Sequence, residues 1–396
     1  MSSGASGGEA GAPGAIPVEQ YARRLDRARN EARRRGVAVL LVGVGADLRY
    51  LTGHTVIPLE RMTMLVVPLE GAPTLVTPRL EAVGARRART AQAGLFEIAP
   101  WDETDDPARL VADRVLASAS LSGGGPVLIS ERTWAMHVLA LQQTLPGVTF
   151  GLATSVLREL RMAKGPDEVA LLRSAAQAAD RVIDQIAAGR LVGRTEADVS
   201  REVRDRLVTE GHDLAEFAIV GSGPNSASPH HEASDRVIRA GEPVVLDIGG
   251  VMAGYCSDTT RTLWVTGGDP AKGPDAEFLA LFNLLQRAQA EASGAVLPGL
   301  PCERIDAVAR DIIAAGGHGS HFIHRVGHGI GLETHEEPYL VAGNGEPLRE
   351  GFAFSVEPGI YLEGRYGARI EDIVVCGADG PVVLNESSRD LRVVAG

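Results

Sequence analysis

The sequence predicts two domains, an α/β domain followed by a larger α+β domain whose strands carry the chemistry. Three observations lead there. The chain has 396 residues, more than one hydrophobic core usually serves. Over its first part, short apolar runs bounded by Gly and Pro alternate with helix-like stretches, the pattern of an α/β layer. Over the rest, long helical stretches are joined by strands that turn back on themselves.

Composition narrows the function classes. Hydrophobic residues make up 44% of the chain and charged residues 23%, ordinary for a folded globular protein. A formal net charge of −12 argues against a nucleic-acid partner, which needs a basic face. No run of about 18 apolar residues suggests a membrane span. The opening MSSGASGGEAGAPGA lacks the basic and apolar regions of a secretory signal. It reads, over residues 1–16, as a disordered tail. Cys256, Cys302 and Cys376 are too few and too widely spaced for a disulfide framework. Free thiols in a cytoplasmic setting are expected.

In the first domain, residues 17–158, Tyr21, Leu25, Ala28 and Ala32 fall at helical spacing from Val18 to about Arg35. The arginines among them read as a solvated face. Strands are expected at Val37–Val44, Met62–Pro68, Pro73–Pro78 and Pro126–Ser130, with helices at Pro107–Ala119 and Thr133–Gln143. No phosphate-cradling glycine loop and no cluster of catalytic residue types occurs there. Leu157–Lys164 reads as a bridge. The second domain, residues 159–396, then opens at Gly165-Pro166-Asp167, where Pro166, Asp167 and Glu168 suit a first helical turn. That helix extends to about Ala188. Others are expected at Thr195–Glu210, Asp275–Ser293 and Cys302–Ala315. Strands are expected at Glu216–Val220, Pro243–Gly249, Asp258–Val265, Phe352–Glu357 and Ala368–Cys376.

Two hairpins carry opposed acids. In PVVLDIGGVMAGYCSDTTRTLWV, a turn centred between Met252 and Ala253 would set Asp247 directly across from Asp258. Opposed carboxylates repel unless a cation or proton lies between them, and the flanking Val244, Val245 and Leu246 imply burial. The other reading is two solvent-facing aspartates beside a turn. In FAFSVEPGIYLEGRYGARIEDIVV, a turn on Gly364 sets Glu357 across from Glu371. Pro358 suggests a strand end or bulge at that point. Arg369 shares the Glu371 face and Asp372 points to the other. An Arg369–Glu371 salt bridge could be purely structural, or could orient a ligating carboxylate. Two such hairpins supply four carboxylates, about the charge two divalent ions neutralise.

The histidines gather nearby. SHFIHRVGHGIGLETHEEP holds His321, His324, His328 and His335, four of the chain's ten. Gly327, Gly329 and Gly331 rule out a stable helix, so this is not a helical zinc-protease motif. In an extended strand His324 and His328 share a face. His230-His231 lies in the turn-rich NSASPHHEASD. Carboxylates with a single imidazole suit hard or borderline ions such as manganese. Two ions about 3.5–4 Å apart can share a hydroxide and clamp a scissile carbonyl.

The strings DIGG, SDTTRT, GHGIGLETHEEP, EPGIY and RIED, in that order, resemble the pita-bread metallopeptidases, the family of methionine aminopeptidase, aminopeptidase P and prolidase. The resemblance covers 159–396. Residues 17–158, with LRYLTG, resemble the creatinase-type N-terminal domain. The whole looks nearest to actinobacterial Xaa-Pro dipeptidases. The resemblance implies two divalent ions, Mn²⁺ first with Co²⁺ or Zn²⁺ as alternatives, and the five ligands Asp247, Asp258, His328, Glu357 and Glu371. Asp258 and Glu371 would bridge, Asp247 would serve one ion, and His328 and Glu357 the other. Glu357 would also be the general base. His230 and His335 would line the substrate pocket, and His324 would help hold the tetrahedral intermediate. Arg369 would steady Glu371 or meet the substrate carboxylate. His231 and His321 match no family role and read as structural. The implied activity is hydrolysis of the Xaa-Pro bond of small peptides by a homodimer. The alternatives are a Xaa-Pro aminopeptidase on longer peptides, a creatinase-like small-molecule hydrolase, or a metal-free binding module.

Overall fold

The computed structural model of the chain describes residues 15–396; all but the end of the expected tail lies outside them. A six-stranded sheet forms the centre of the first domain, in the order Glu97–Trp101, Thr74–Pro78, Met64–Pro68, Val39–Gly43, Val127–Ile129, Phe150–Leu152. Its strands read as continuous apolar runs because both faces are covered. Leu40, Val42, Leu65 and Val67 face one core, with the helix Val18–Arg34. Val39, Leu41, Met64 and Val66 face another, beneath Pro107–Leu116 and Ala135–Thr144. This period of two is what a strand imposes.

Two expectations about this domain fail. Leu157–Lys164 is not a loose bridge: Thr154–Met162 is an amphipathic helix that buries Val156, Leu157 and Leu160 in the first core. Nor are the arginines of the first helix all solvated. Arg24 is 1% exposed. Its guanidinium lies 3.0 Å from Glu168 and 4.3 Å from the centre of the Tyr50 ring. The helix buries the stripe to which Arg24 belongs, and Glu168 from the second domain supplies its counter-charge.

In the second domain two sheets stand with helices outside them. One has the order Arg392–Val394, Thr259–Val265, Glu242–Met252, Leu214–Ser222, with Tyr255–Cys256 beside Glu242–Met252. It is covered by the helices Pro166–Ala188 and Glu196–Thr209. The other runs Glu336–Leu340, Gly327–Gly329, Ala353–Val356, Asp372–Gly377, Gly380–Val383. It is covered by Ala276–Gly294 and Cys302–Ala315. The sheets touch where the Glu371 N–H donates to Thr260 O at 3.1 Å.

The expected strand Ala368–Cys376 is two strands, Tyr366–Arg369 and Asp372–Gly377. The break falls at Ile370-Glu371, where the chain leaves the hairpin partnered by Gly359–Leu362 and enters the larger sheet.

Candidate metal centre

The second hairpin has the expected register. Gly359 pairs with Arg369 and Leu362 with Tyr366, around a turn at Gly364 with φ +74°. On the far side of the break Val356 pairs with Asp372. Glu357 and Glu371 are therefore the facing residues where the two ladders part, with Pro358 at the strand end.

The first hairpin is shifted. Met252 pairs with Tyr255, so the turn is Ala253-Gly254, with φ +47° and +91°. Two left-handed residues make a type I′ turn, which matches strand twist and favours glycine second. Asp247 consequently faces Thr260, not Asp258. The slip in pairing is two residues, and side chains alternate with a period of two. Asp258 therefore keeps the face of Asp247, diagonally rather than directly across.

The five predicted ligands line one cavity of about 890 Å³, together with His230, His324, His335 and Arg369. Oxygen or nitrogen atoms of Asp258, His328 and Glu371 all lie within 4.8 Å of one another. His328 Nε2 is 3.1 Å from Glu357 Oε1 and 3.6 Å from Asp258 Oδ2. His328 Nδ1 sits 3.2 Å from the Gly329 carbonyl, which can only accept. A neutral ring then has no proton left for Nε2, so its lone pair faces two carboxylates.

With its carboxylates ionised, this arrangement needs a cation or a shared proton to offset their repulsion. Asp247 is 8% exposed, Asp258 4% and Glu371 1%, and Asp247 Oδ1 and Glu371 Oε1 are buried with no hydrogen-bond partner among the described residues. Burial, then Glu371 and Asp247, pushes the Asp258 carboxyl well above its ordinary range. Burial, then Glu357 and Asp247, does the same to Glu371. Asp247 is raised by burial despite Arg369. Burial also raises Glu357, but His328, while its ring carries a proton on Nε2, outweighs it by hydrogen bond and charge, bringing it down to about 2. Orphaned oxygens on converging carboxylates, with one imidazole, are the donor set of a hard-cation site. The residues present fit a metal centre.

Arg369 makes no direct pair with Glu371 and reaches it through Thr260. Its guanidinium pairs with Asp247 and donates to Thr260 Oγ1 at 3.1 Å, Tyr361 Oη at 2.9 Å and the Pro229 carbonyl at 3.2 Å. Thr260 instead donates to Glu371 Oε2 at 2.7 Å. The alternation that puts Arg369 and Glu371 on one face is broken at Ile370, and Asp247 is the carboxylate that the guanidinium reaches. Asp372 does point away, into Arg261 at 2.7 Å.

The histidines divide. His324 lines the cavity, with Nδ1 2.7 Å from the Arg325 carbonyl and Nε2 2.9 Å from Tyr361 Oη. Burial lowers its pKa, so Nε2 accepts from the tyrosine. His335 packs edge-on against His328, ring centres 4.1 Å apart, and partial burial, then His328, brings it down to about 4. His231 is tied to Glu196 at 2.7 Å, which anchors the loop that leaves His230 in the cavity. His321 is not among the cavity's lining residues. Sequence reasoning missed Tyr361 and Thr260. Both lie inside quoted strings, EPGIY and SDTTRT, but only the tertiary contacts reveal their work.

Fold and site together define a two-domain metal-dependent hydrolase with an acid-lined cavity. Residues 170–378 match the metallopeptidase family M24 and residues 24–163 the creatinase/prolidase N-terminal domain. The chain is 46% identical over 380 residues to the probable dipeptidase PepE of Mycobacterium tuberculosis, covering 95% of this chain and 97% of that one. It is 32% identical over 359 residues to the Xaa-Pro dipeptidase of Lactobacillus helveticus, covering 88% and 92%. The crystal structure of dipeptidase PepE from Mycobacterium ulcerans superposes with a TM-score of 0.87 at 44% identity, covering 96% and 100%. The chain belongs to metallopeptidase family M24, the pita-bread enzymes, and carries the creatinase-type N-terminal domain. Among the described residues no helix is long and apolar enough to cross a membrane.

Proposed function

We propose that this enzyme hydrolyses the bond preceding proline in dipeptides and short peptides, using two divalent ions held by Asp247, Asp258, His328, Glu357 and Glu371. One observation carries the metal centre: four carboxylates and one imidazole converge, with Asp247 Oδ1 and Glu371 Oε1 buried and unpartnered. Names such as "Xaa-Pro dipeptidase" among the relatives support the proline preference. Asp258 and Glu371 would be the ligands shared by the two ions, as the family resemblance implies, and both lie with His328 in a group whose ligand atoms are within 4.8 Å of one another. Carboxylate ligands with one imidazole favour Mn²⁺. When bound, such ions polarise a carbonyl and acidify water.

The chain's own residues then divide the work. Glu357, ionised at neutral pH, is placed to accept a proton. His230 and His335 form cavity walls for the substrate. His324 would have to release Tyr361 before it could donate to a developing oxyanion. Arg369 holds Asp247; of its five N–H groups, one on Nη2 has no partner among the described residues and would meet a substrate carboxylate. A cytoplasmic homodimer is consistent with three free cysteines and with the family.

The test is a peptide panel on metal-stripped and Mn²⁺- or Co²⁺-reconstituted protein. Gly-Pro should be cleaved after reconstitution and not before. Turnover of Gly-Pro-Gly-Gly alone would replace the dipeptidase reading with an aminopeptidase one.

A further inference from the structure

The segment from Gly331 to Glu336 brings Thr334 and His335 to the cavity, and residues at the junction with the N-terminal domain hold it from behind. Arg161, at the end of the helix Thr154–Met162, donates through Nη2 to Glu333 Oε2 and Glu336 Oε2, each at 2.5 Å. Its Nη1 meets Asp47 at 2.9 Å. Lys164 Nζ lies 2.5 Å from Glu336 Oε1, and Arg132 lies 2.6 Å from Glu333. The Lys164 and Glu336 side chains are 1% and 7% exposed. Removing one partner from so buried a pair leaves the other charge uncompensated. The backbone approaches just as closely: a Cβ on Gly331 would stand 2.5 Å from Glu336 Oε1 and 2.9 Å from Lys164 Cε. Leu332 packs against the core of the first domain as well as that of the second.

On its other side the segment faces the chemistry. Thr334 donates to Glu216 at 2.8 Å. His335, an exposed residue, touches His328 edge-on, and it also lines a second cavity of about 140 Å³ between the domains, alongside Arg132, Arg161 and Glu333. The ring is thus a wall between the main cavity and a charged interdomain one.

We infer that Arg161 and Lys164 are positioning residues for His335, so that charges next to the N-terminal domain set where this ring stands in the cavity. This role deepens the peptidase reading and rests on it where turnover is the readout. The test uses the full-length, metal-loaded enzyme with Arg161→Met, His335→Ala, the double variant, and Arg365→Ala as a control in an exposed ion pair. Arg161→Met should lower kcat/KM for Gly-Pro about tenfold with metal content unchanged. In the His335→Ala background the same substitution should cost less than about twofold, because coupled residues are non-additive. Equal losses in both backgrounds, or no loss in either, would overturn the role.

A second readout needs no substrate. With ¹³C-labelled histidine in the protein loaded with diamagnetic Zn²⁺, the imidazole signal missing in His335→Ala should shift or broaden in Arg161→Met and stay put in Arg365→Ala. An unmoved signal overturns the inference even if Gly-Pro is not cleaved, in which case the peptidase reading fails separately. Should Arg161→Met not fold, Glu333→Gln removes one of its partners more gently. It should give the same masking and the same shift, with a loss of about threefold.

Discussion

Glu371 and Asp372 are adjacent, buried and turned to opposite faces, and their surroundings differ completely. Asp372 is met by Arg261 at 2.7 Å, by Gln289 at 2.9 Å and by Arg389. Glu371 looks into Asp258, Glu357 and Asp247, has a hydroxyl donor in Thr260 and keeps one oxygen without a partner. Both are buried acids, but only one is complete within the chain. Asp372 is an element of stability. Glu371 belongs to a cluster held together against its own repulsion by the surrounding fold, an arrangement that makes physical sense when a cation is the missing partner.

The largest effect that could break this comparison is on function. Glu371→Ala or Asp258→Ala should abolish hydrolysis and metal retention together, read by peptide assay and elemental mass spectrometry. Either variant keeping full activity contradicts the bridging assignment. Stability should show the opposite asymmetry. In metal-free protein Asp372→Ala should cost about 3–5 kcal/mol, because it leaves Arg261 unpaired in the interior. Glu371→Ala should leave the metal-free melting temperature unchanged or higher, because it relieves repulsion. Chemical denaturation of both variants reads the difference.

Smaller effects sharpen the account of the cavity. His335→Ala should lower turnover while both metals stay bound. Tyr361→Phe removes the hydroxyl between Arg369 and His324 and should lower kcat/KM about tenfold, within the range for losing one aligned donor, again with metals retained. The least effect is on pH. Burial raises Glu336, but Lys164 and Arg161 outweigh it and hold its carboxyl below the ordinary range. Its ionised form therefore contributes stability at neutral pH that is lost as pH falls through the depressed folded-state value. Glu336→Gln should flatten the acid limb of a melting-temperature profile.

What could be read from the sequence follows the range of the interactions. Turn chemistry and strand alternation are local, so Gly364 alone placed Glu357 across from Glu371. The first hairpin failed on a local signal given too little weight: Gly254 is the residue that tolerates a left-handed turn, and centring on Ala253-Gly254 yields the observed pairing. Period-two alternation preserved the shared face of Asp247 and Asp258 regardless. Long-range partners are a different matter. Nothing in a helix pattern tells buried Arg24 from its solvated neighbours, because Glu168 lies in another domain. Arg369 reaches Asp247 rather than Glu371 because Ile370 breaks the strand. Leu157–Lys164 read as a bridge because its apolar face has meaning only against the first domain's core. The identities of the acids and histidines were visible, whereas the groups that orient them were not.

The most direct measurement is titration of the metal-free protein with Mn²⁺, followed by calorimetry, with bound metal counted after dialysis. Two ions per chain, with a melting temperature that rises with Mn²⁺ concentration as ligand linkage requires, is the expected result. A chain that binds no ion, and whose melting temperature Mn²⁺ leaves unmoved, would contradict the account at its centre.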